Sequence, residues 1–135
     1  MNDALLVCRF QRFGDLQRQR EAYRRLKASG DFFSPHLFCL SGFTSRGDTA
    51  ARHFGVSPDR VEDPFTGSAT GGMASYLWYH RLLAEPDFVA EQGHNMGRSG
   101  EAVVHVRGPR HDIEGVDVAG RAVSVVQGRL RVKEA

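Results

Sequence analysis

From Ser68 to Leu83 the apolar residues Ala69, Met73, Ala74, Leu77, Trp78, Leu82 and Leu83 recur at helical spacing, with no proline before Pro86. The spacing predicts a helix of about four turns, roughly 24 Å long. Tyr76 and Tyr79 place large rings on its other faces, while Gly71, Gly72, Ala74 and Ser75 keep its first turns thin. Such a helix belongs inside a domain, enclosed on most sides.

Around it the pattern changes to short apolar runs. Ala4 to Phe10, His36 to Ser41 and Phe88 to Gln92 read as strands, and so do Ala102 to Val106, Ile113 to Val118, Arg121 to Val126 and Arg129 to Val132. Turns are expected at Gly108, Gly120 and Gly128. Asp15 to Ala28 predicts an outer helix with one narrow buried face, Leu16, Ala22, Tyr23 and Leu26, and Gly30 suits its C-terminal turn. Phe43 to Asp59, broken by Gly47, Gly55 and Pro58, predicts a loop with a short helical piece near Thr49 to His53; Gly93 to Gly100 predicts a polar loop. Strands gathered about one apolar helix define an α+β domain.

At 135 residues the chain fits one domain, residues 1–135, with a single core. Its hydrophobic content of 41% and charged content of 25% exclude disordered and fibrous classes. A net charge of +2 is too small to argue for nucleic acid or an anionic membrane. The basic residues Arg18, Arg20, Arg24, Arg25 and Lys27 are interrupted by Glu21 and read as a solvated helix face. No apolar run approaches the ~18 residues of a spanning helix, and no targeting segment is legible at the N-terminus, so a cytoplasmic protein is expected.

Chemistry concentrates just ahead of the central helix. Asp63 precedes Pro64 and is therefore held extended. The N–H groups near Gly67, Ser68, Ala69 and Thr70 have no partner in the first turn of a helix, where the dipole adds partial positive charge, so an anion fits there. Glycine at 67 permits close approach, and Ser68 offers a hydroxyl. The same residues also suit a purely structural role, with Thr66 or Ser68 capping a buried helix and Asp63 accepting turn hydrogen bonds. Thr66 to Gly72 lacks the Lys-Ser/Thr of a phosphate-binding loop. The six histidines show no i, i+4 pairing and no acidic or cysteine cluster joins them, so no metal site is expected. Cys8 and Cys39 sit in apolar strands and read as small hydrophobes. Phe43, Phe54 and Phe65 fit either the lining of a cleft or the core, and the core is the expected place.

The string Glu62-Asp63-Pro64-Phe65-Thr66-Gly67-Ser68-Ala69 resembles the signature of the phenazine-biosynthesis, PhzF-type isomerase family, which normally reads Glu-Asp-Pro-Ala-Thr-Gly-Ser-Ala. Glu91-Gln92-Gly93-His94-Asn95-Met96-Gly97-Arg98 resembles the same family's Glu-Gln-Gly, two variable residues, Met-Gly-Arg. The tail from Val116 to Leu130 is similar to its closing hairpin. The resemblance implies one half of a diaminopimelate-epimerase-like fold, a strongly curved, mostly antiparallel sheet closed around the central helix. It also implies a cofactor-independent isomerase or epimerase moving a proton on a small carboxylate-bearing metabolite. Asp63 and Ser68 would be catalytic, and Thr66, Gly67, Ser68, Ala69, His94 and Arg98 would bind substrate. Both His94 and Arg98 also fit plain loop roles, an exposed histidine and an arginine tying the loop to a carboxylate.

Family members are about twice this length and built of two similar halves around a cleft. This chain resembles the second half, and the glutamate that shuttles protons in the first half has no counterpart here. The resemblance therefore implies a site completed by a homodimer or by a complementary chain carrying the first half. The rival expectation is a non-catalytic half-domain that binds a small acid or a partner protein.

Overall fold

The computed structural model describes residues 4–7, 13–16, 19–55 and 62–132. Cys8, Arg18, the expected end of the first strand at 8–10 and residues 56–59 of the long loop lie outside the described residues.

Six strands form one sheet in chain order: β1 (Ala4–Val7), β2 (Pro35–Cys39), β3 (Thr49–His53), β4 (Asp87–Gln92), β5 (Gly100–Arg107) and β6 (Gly115–Gly120). β1 runs parallel to β2 and β3 parallel to β4, while β2–β3, β4–β5 and β5–β6 are antiparallel. Each parallel pair is joined through a helix, α1 (Arg20–Ala28) and α2 (Gly67–Tyr79), as such a crossover requires. The α+β class expected from the pattern is present. The expected sheet geometry is not: the sheet is mixed and open, neither closed nor strongly curled around the helix.

α2 consequently lies on one face of the sheet. Met73, Ala74 and Leu77 are fully buried against Phe38, Phe88, Val104 and Val106, whereas Gly72, Tyr76 and Tyr79 form an exposed stripe. The helix also stops at Tyr79 and not at Leu83. Arg81 turns left-handed at φ 58°, its N–H donates to the Trp78 carbonyl and that of Leu82 to Leu77, at 3.2 and 2.9 Å. This paired closure is a C-terminal cap that needs no glycine in sequence. Arg110 adds a cation at the same helix end, donating to the Trp78 carbonyl at 2.8 Å and lying 3.6 Å over the indole ring.

Three more expectations change. Thr49–His53 is a strand and not a helical piece, with all five residues buried; it runs between β2 and β4, where neighbours on both edges satisfy its backbone. The outer helix begins at Arg20 and not at Asp15. The carbonyls of Phe13, Gly14 and Leu16 accept from the Arg52 guanidinium, which draws that turn onto the sheet and away from helical pairing. Finally, 121–132 contains neither expected strand. Gly120 belongs to β6, and no described strand lies beyond it.

On the other face Phe13, Cys39 and Ala50 make a second core with Leu16, Leu37 and Phe43; Cys39 packs there as a hydrophobe, as expected. Phe54 is buried, and Phe43 and Phe65 are half-buried against the two cores. Tyr23 is buried on α1, and its hydroxyl donates to the Phe54 carbonyl at 2.9 Å. Arg24 and Arg25 are exposed, consistent with a solvated face.

β2 and β3 also bury a polar chain. Ser34 Oγ lies 2.7 Å from His53 Nε2, and His53 Nδ1 lies 3.3 Å from His36 Nδ1. His36 Nε2 has no hydrogen-bond partner. Burial, and then the neighbouring His53, lowers the His36 pKa from 6.5 to about 3. Below pH 6.5 the unfolded chain takes up a proton that folded His36 refuses, so this contribution to stability is whole above that pH and is lost as the pH falls toward 3. Stability should drop by about 2 kcal/mol between about pH 7 and pH 5 through this residue. Urea midpoints measured across that range check it, and His36→Leu should flatten the slope.

Candidate active site

The residues singled out by sequence meet at the entrance to α2, and three separate ties fix them. The first is a buried ion pair. Arg52 Nε and Nη2 grip the Glu62 carboxylate at 2.9 and 2.8 Å, with both side chains over nine-tenths buried; this forked geometry sets orientation as well as distance. The second is backbone pairing, in which the Asp63 N–H donates to the His53 carbonyl at 2.8 Å and extends β3 by one bridge. Proline after Asp63 keeps that residue extended, so the strand-like contact and the local preference agree.

The third tie comes from the Glu91-Gln92-Gly93 block. The buried Gln92 donates through Nε2 to the Asp63 carbonyl at 2.7 Å and to Thr66 Oγ1 at 3.3 Å, and its Oε1 accepts the Thr66 N–H at 3.3 Å. One amide thus spans the turn of residues 63–66. Gly93, at φ 83°, lets the chain pass against that turn: a Cβ there would sit 2.6 Å from the Pro64 carbonyl oxygen and 2.3 Å from that of Arg98. The two sequence blocks, about thirty residues apart, are the two sides of one contact.

Glu91 looks the other way. Its buried carboxylate accepts from the N–H groups of Phe43 and Thr44 at 2.6 and 3.0 Å and from the Thr44 hydroxyl. Burial alone raises its pKa; the Thr44 hydroxyl and the two N–H groups, with the charge of His94, outweigh that and hold the carboxyl below its ordinary 4.5. The loop over it is tight, since a Cβ on Gly47 would fall 2.4 Å from the carboxylate.

Within this frame Asp63 is half-buried and accepts a hydrogen bond from Thr66 Oγ1 at 2.7 Å. Thr66 is the N-cap of α2 by position, yet its hydroxyl is turned to Asp63 and does not cap the helix. Gly67 and Ser68 are exposed. Among the described residues no hydrogen bond takes the N–H groups of Gly67, Ser68 or Ala69; the first paired one is that of Thr70, donating to Thr66 at 3.0 Å. Gly67 also lies on the wall of a cleft of about 510 Å³, together with Phe65, Ser99, Gly100, Glu101 and Arg121. Of the predicted residues it is the one on that wall.

His94 and Arg98 sit on the loop that carries Gly93. His94 is half-buried, stacks on Phe43 with centroids 4.4 Å apart, and has a buried Nδ1 with no hydrogen-bond partner. Arg98 is exposed, makes no ion pair among the described residues, and returns its N–H to the Gly93 carbonyl at 3.1 Å. Sequence reasoning passed over Arg52, which the apolar run Thr49-Ala50-Ala51 could have flagged: a cation in a buried strand requires a carboxylate. It also read Gln92 only as the end of a strand and a letter of the motif.

The site is thus part of an α+β domain in which the open N-terminus of α2 lies beside a fixed carboxylate. The model of the PhzC-PhzF family, described as phenazine biosynthesis-like protein, matches residues 36–128, and the chain belongs to that family. It is 37% identical over 73 residues to an uncharacterized isomerase of Clostridium acetobutylicum, covering 51% of this chain and 24% of that one. To the uncharacterized isomerase YfhB of Bacillus subtilis it is 30% identical over 92 residues, covering 67% and 31%. The fold matches a Bacillus anthracis phenazine biosynthesis protein of the PhzF family at TM-score 0.70 and 23% identity, over 86% of this chain and 41% of that one. A PhzC/PhzF protein of Clostridium difficile matches at TM-score 0.67 and 23% identity, over 96% and 45%. The chain therefore spans about a quarter to a third of the curated relatives and less than half of the solved structures. Among the described residues no helix is long and apolar enough to cross a membrane.

Proposed function

We propose that the chain supplies one wall of an isomerase or epimerase site that moves a proton beside the carboxylate of a small metabolite without a cofactor. Asp63 exchanges the proton. The N–H groups of Gly67, Ser68 and Ala69 with the Ser68 hydroxyl hold the substrate carboxylate or the charge that develops next to it. Thr66 orients Asp63, and Arg98 and His94 approach the substrate from the facing loop. A second subunit, another copy of this chain or a chain carrying the missing half, completes the cleft.

The observation that carries this reading is the open helix N-terminus at the exposed Gly67 and Ser68, with Gly67 on the wall of a cleft, joined through Thr66 to a half-buried carboxylate. The names of the relatives as isomerases support the reaction class. The rival, a non-catalytic domain that binds a small acid, draws on one observation: Asp63 already accepts the Thr66 hydroxyl. Solvent-deuterium incorporation into a panel of small unsaturated and α-substituted acids separates the two. Native protein should label a substrate and Asp63→Asn should lose labelling by at least about a hundredfold while still binding it. Binding without labelling in the native protein would leave the rival standing.

A further inference from the structure

Residues 121–132, Arg-Ala-Val-Ser-Val-Val-Gln-Gly-Arg-Leu-Arg-Val, form an arm that leaves the sheet at the end of β6. Val123, Val125, Val126, Leu130 and Val132 are 81–89% exposed on it. Five aliphatic side chains on one short segment are not a stable water-facing surface, and strand-prone residues without a strand partner seek one. The arm does not turn back on its own chain. Neither Gly120 nor Gly128 adopts the positive φ of a two-residue hairpin turn. Yet the family match runs to residue 128, so most of the arm is part of the family's domain.

β6 is an edge. Its one neighbour among the described strands is β5, and its other side is open. The geometry points to a second copy of this chain as the occupant of that edge: the arms of two copies are exchanged, each pairing antiparallel with β6 of the other about a two-fold axis. The inference rests on the half-site reading above and names the partner and the surface.

One register suits both faces of the strand. With Ser124 of both copies at the axis, Val116 faces Val132 of the second copy, Asp117 faces Arg131, Val118 faces Leu130 and Gly120 faces Gly128. β6 already pairs Val118 with Val104 and Val116 with Val106, both in the core. The exchange therefore extends two existing apolar rows, Val104–Val118–Leu130 and Val106–Val116–Val132, by one strand. On the opposite face Asp117 stands beside His105 in the sheet, 3.3 Å from the Arg107 guanidinium, and gains Arg131. A slip of one residue would set Arg129 and Arg131 against Val118 and Val116 on the core side, so the alternation rejects it. Arg121 lies on the cleft wall, and this register brings Gln127 of the second copy opposite it. Each copy thus adds a residue at the rim of the other's cleft, as a reciprocal two-fold contact does.

Sedimentation of the full chain at tens of micromolar should give a dimer, about twice 15.0 kDa. Leu130→Lys with Val132→Lys should give a monomer with unchanged circular dichroism. Asp117→Lys and Arg131→Asp should each weaken the dimer about tenfold, since every pair occurs twice, and the two together should restore it. That charge exchange keeps the register testable even if the lysine variant fails to fold. A monomeric native chain, or a dimer indifferent to all these changes, overturns the inference. An arm-independent dimer that still labels substrate through Asp63 would sink this interface alone, and an arm-built dimer without labelling would sink only the catalytic reading.

Discussion

Gly93→Ala is expected to lower stability by roughly 4 kcal/mol. Two penalties combine. An alanine at φ 83° is strained by about 1–3 kcal/mol wherever it stands. Its Cβ would also meet the carbonyl oxygens of Arg98 and Pro64 at 2.3 and 2.6 Å, both backbone atoms that cannot swing aside, adding an overpacking cost of about 1–3 kcal/mol. The clash falls on Pro64, so the damage is directed at the turn that carries Asp63. Urea unfolding reads the stability loss, and any activity lost in protein that remains folded reads the displaced turn. A loss below about 1 kcal/mol would mean that the two motif blocks are not in the contact described.

Glu91→Ala is expected to cost on the order of 3 kcal/mol, because it leaves two N–H groups and a hydroxyl of the Phe43–Thr44 loop without their buried acceptor. The pH dependence follows from the lowered carboxyl. Unfolded Glu91 takes a proton near 4.5 while the folded group resists it, so its contribution is present above that pH and is lost as the pH falls through the lower folded value. Glu91→Gln keeps the shape, and its stability should not change with pH over that acid range as the native protein's does. Chemical denaturation at neutral and acid pH measures both. His36 acts in the same direction but over a higher window, so the two residues can be told apart by where the slope lies.

The central helix and most of the sheet were legible because their signals are local. A 3.6-residue period marks α2, and short β-branched runs mark β5 and β6. Where neighbours decide, the pattern misled. Thr49–His53 carries Ala, Arg and His, poor strand formers read alone, and becomes a strand because β2 and β4 flank it. Arg121 to Val132 shows the reverse, good strand formers with nothing beside them among the described strands. The end of α2 was misplaced because its stop rests on Arg81 in a conformation that glycine usually signals.

For the candidate site, motif resemblance named the residues, but not how they are held. Nothing in the spelling of Gln92 says that its amide bridges residues 63 and 66, and nothing in Glu91 says that it faces away from Asp63's turn toward Thr44. Those assignments depend on which way each side chain leaves β4, and alternate residues of a strand point to opposite faces.

Arg52 binds the Glu62 carboxylate with one part of its guanidinium and the carbonyls of Phe13, Gly14 and Leu16 with another. The leading segment and the motif turn are therefore fastened by the same cation. A shortened gene that starts after Leu16 would free Nη1 of that guanidinium, leaving Glu62 to hold it alone, and would loosen the Asp63 turn from a distance without touching a single residue of the motif.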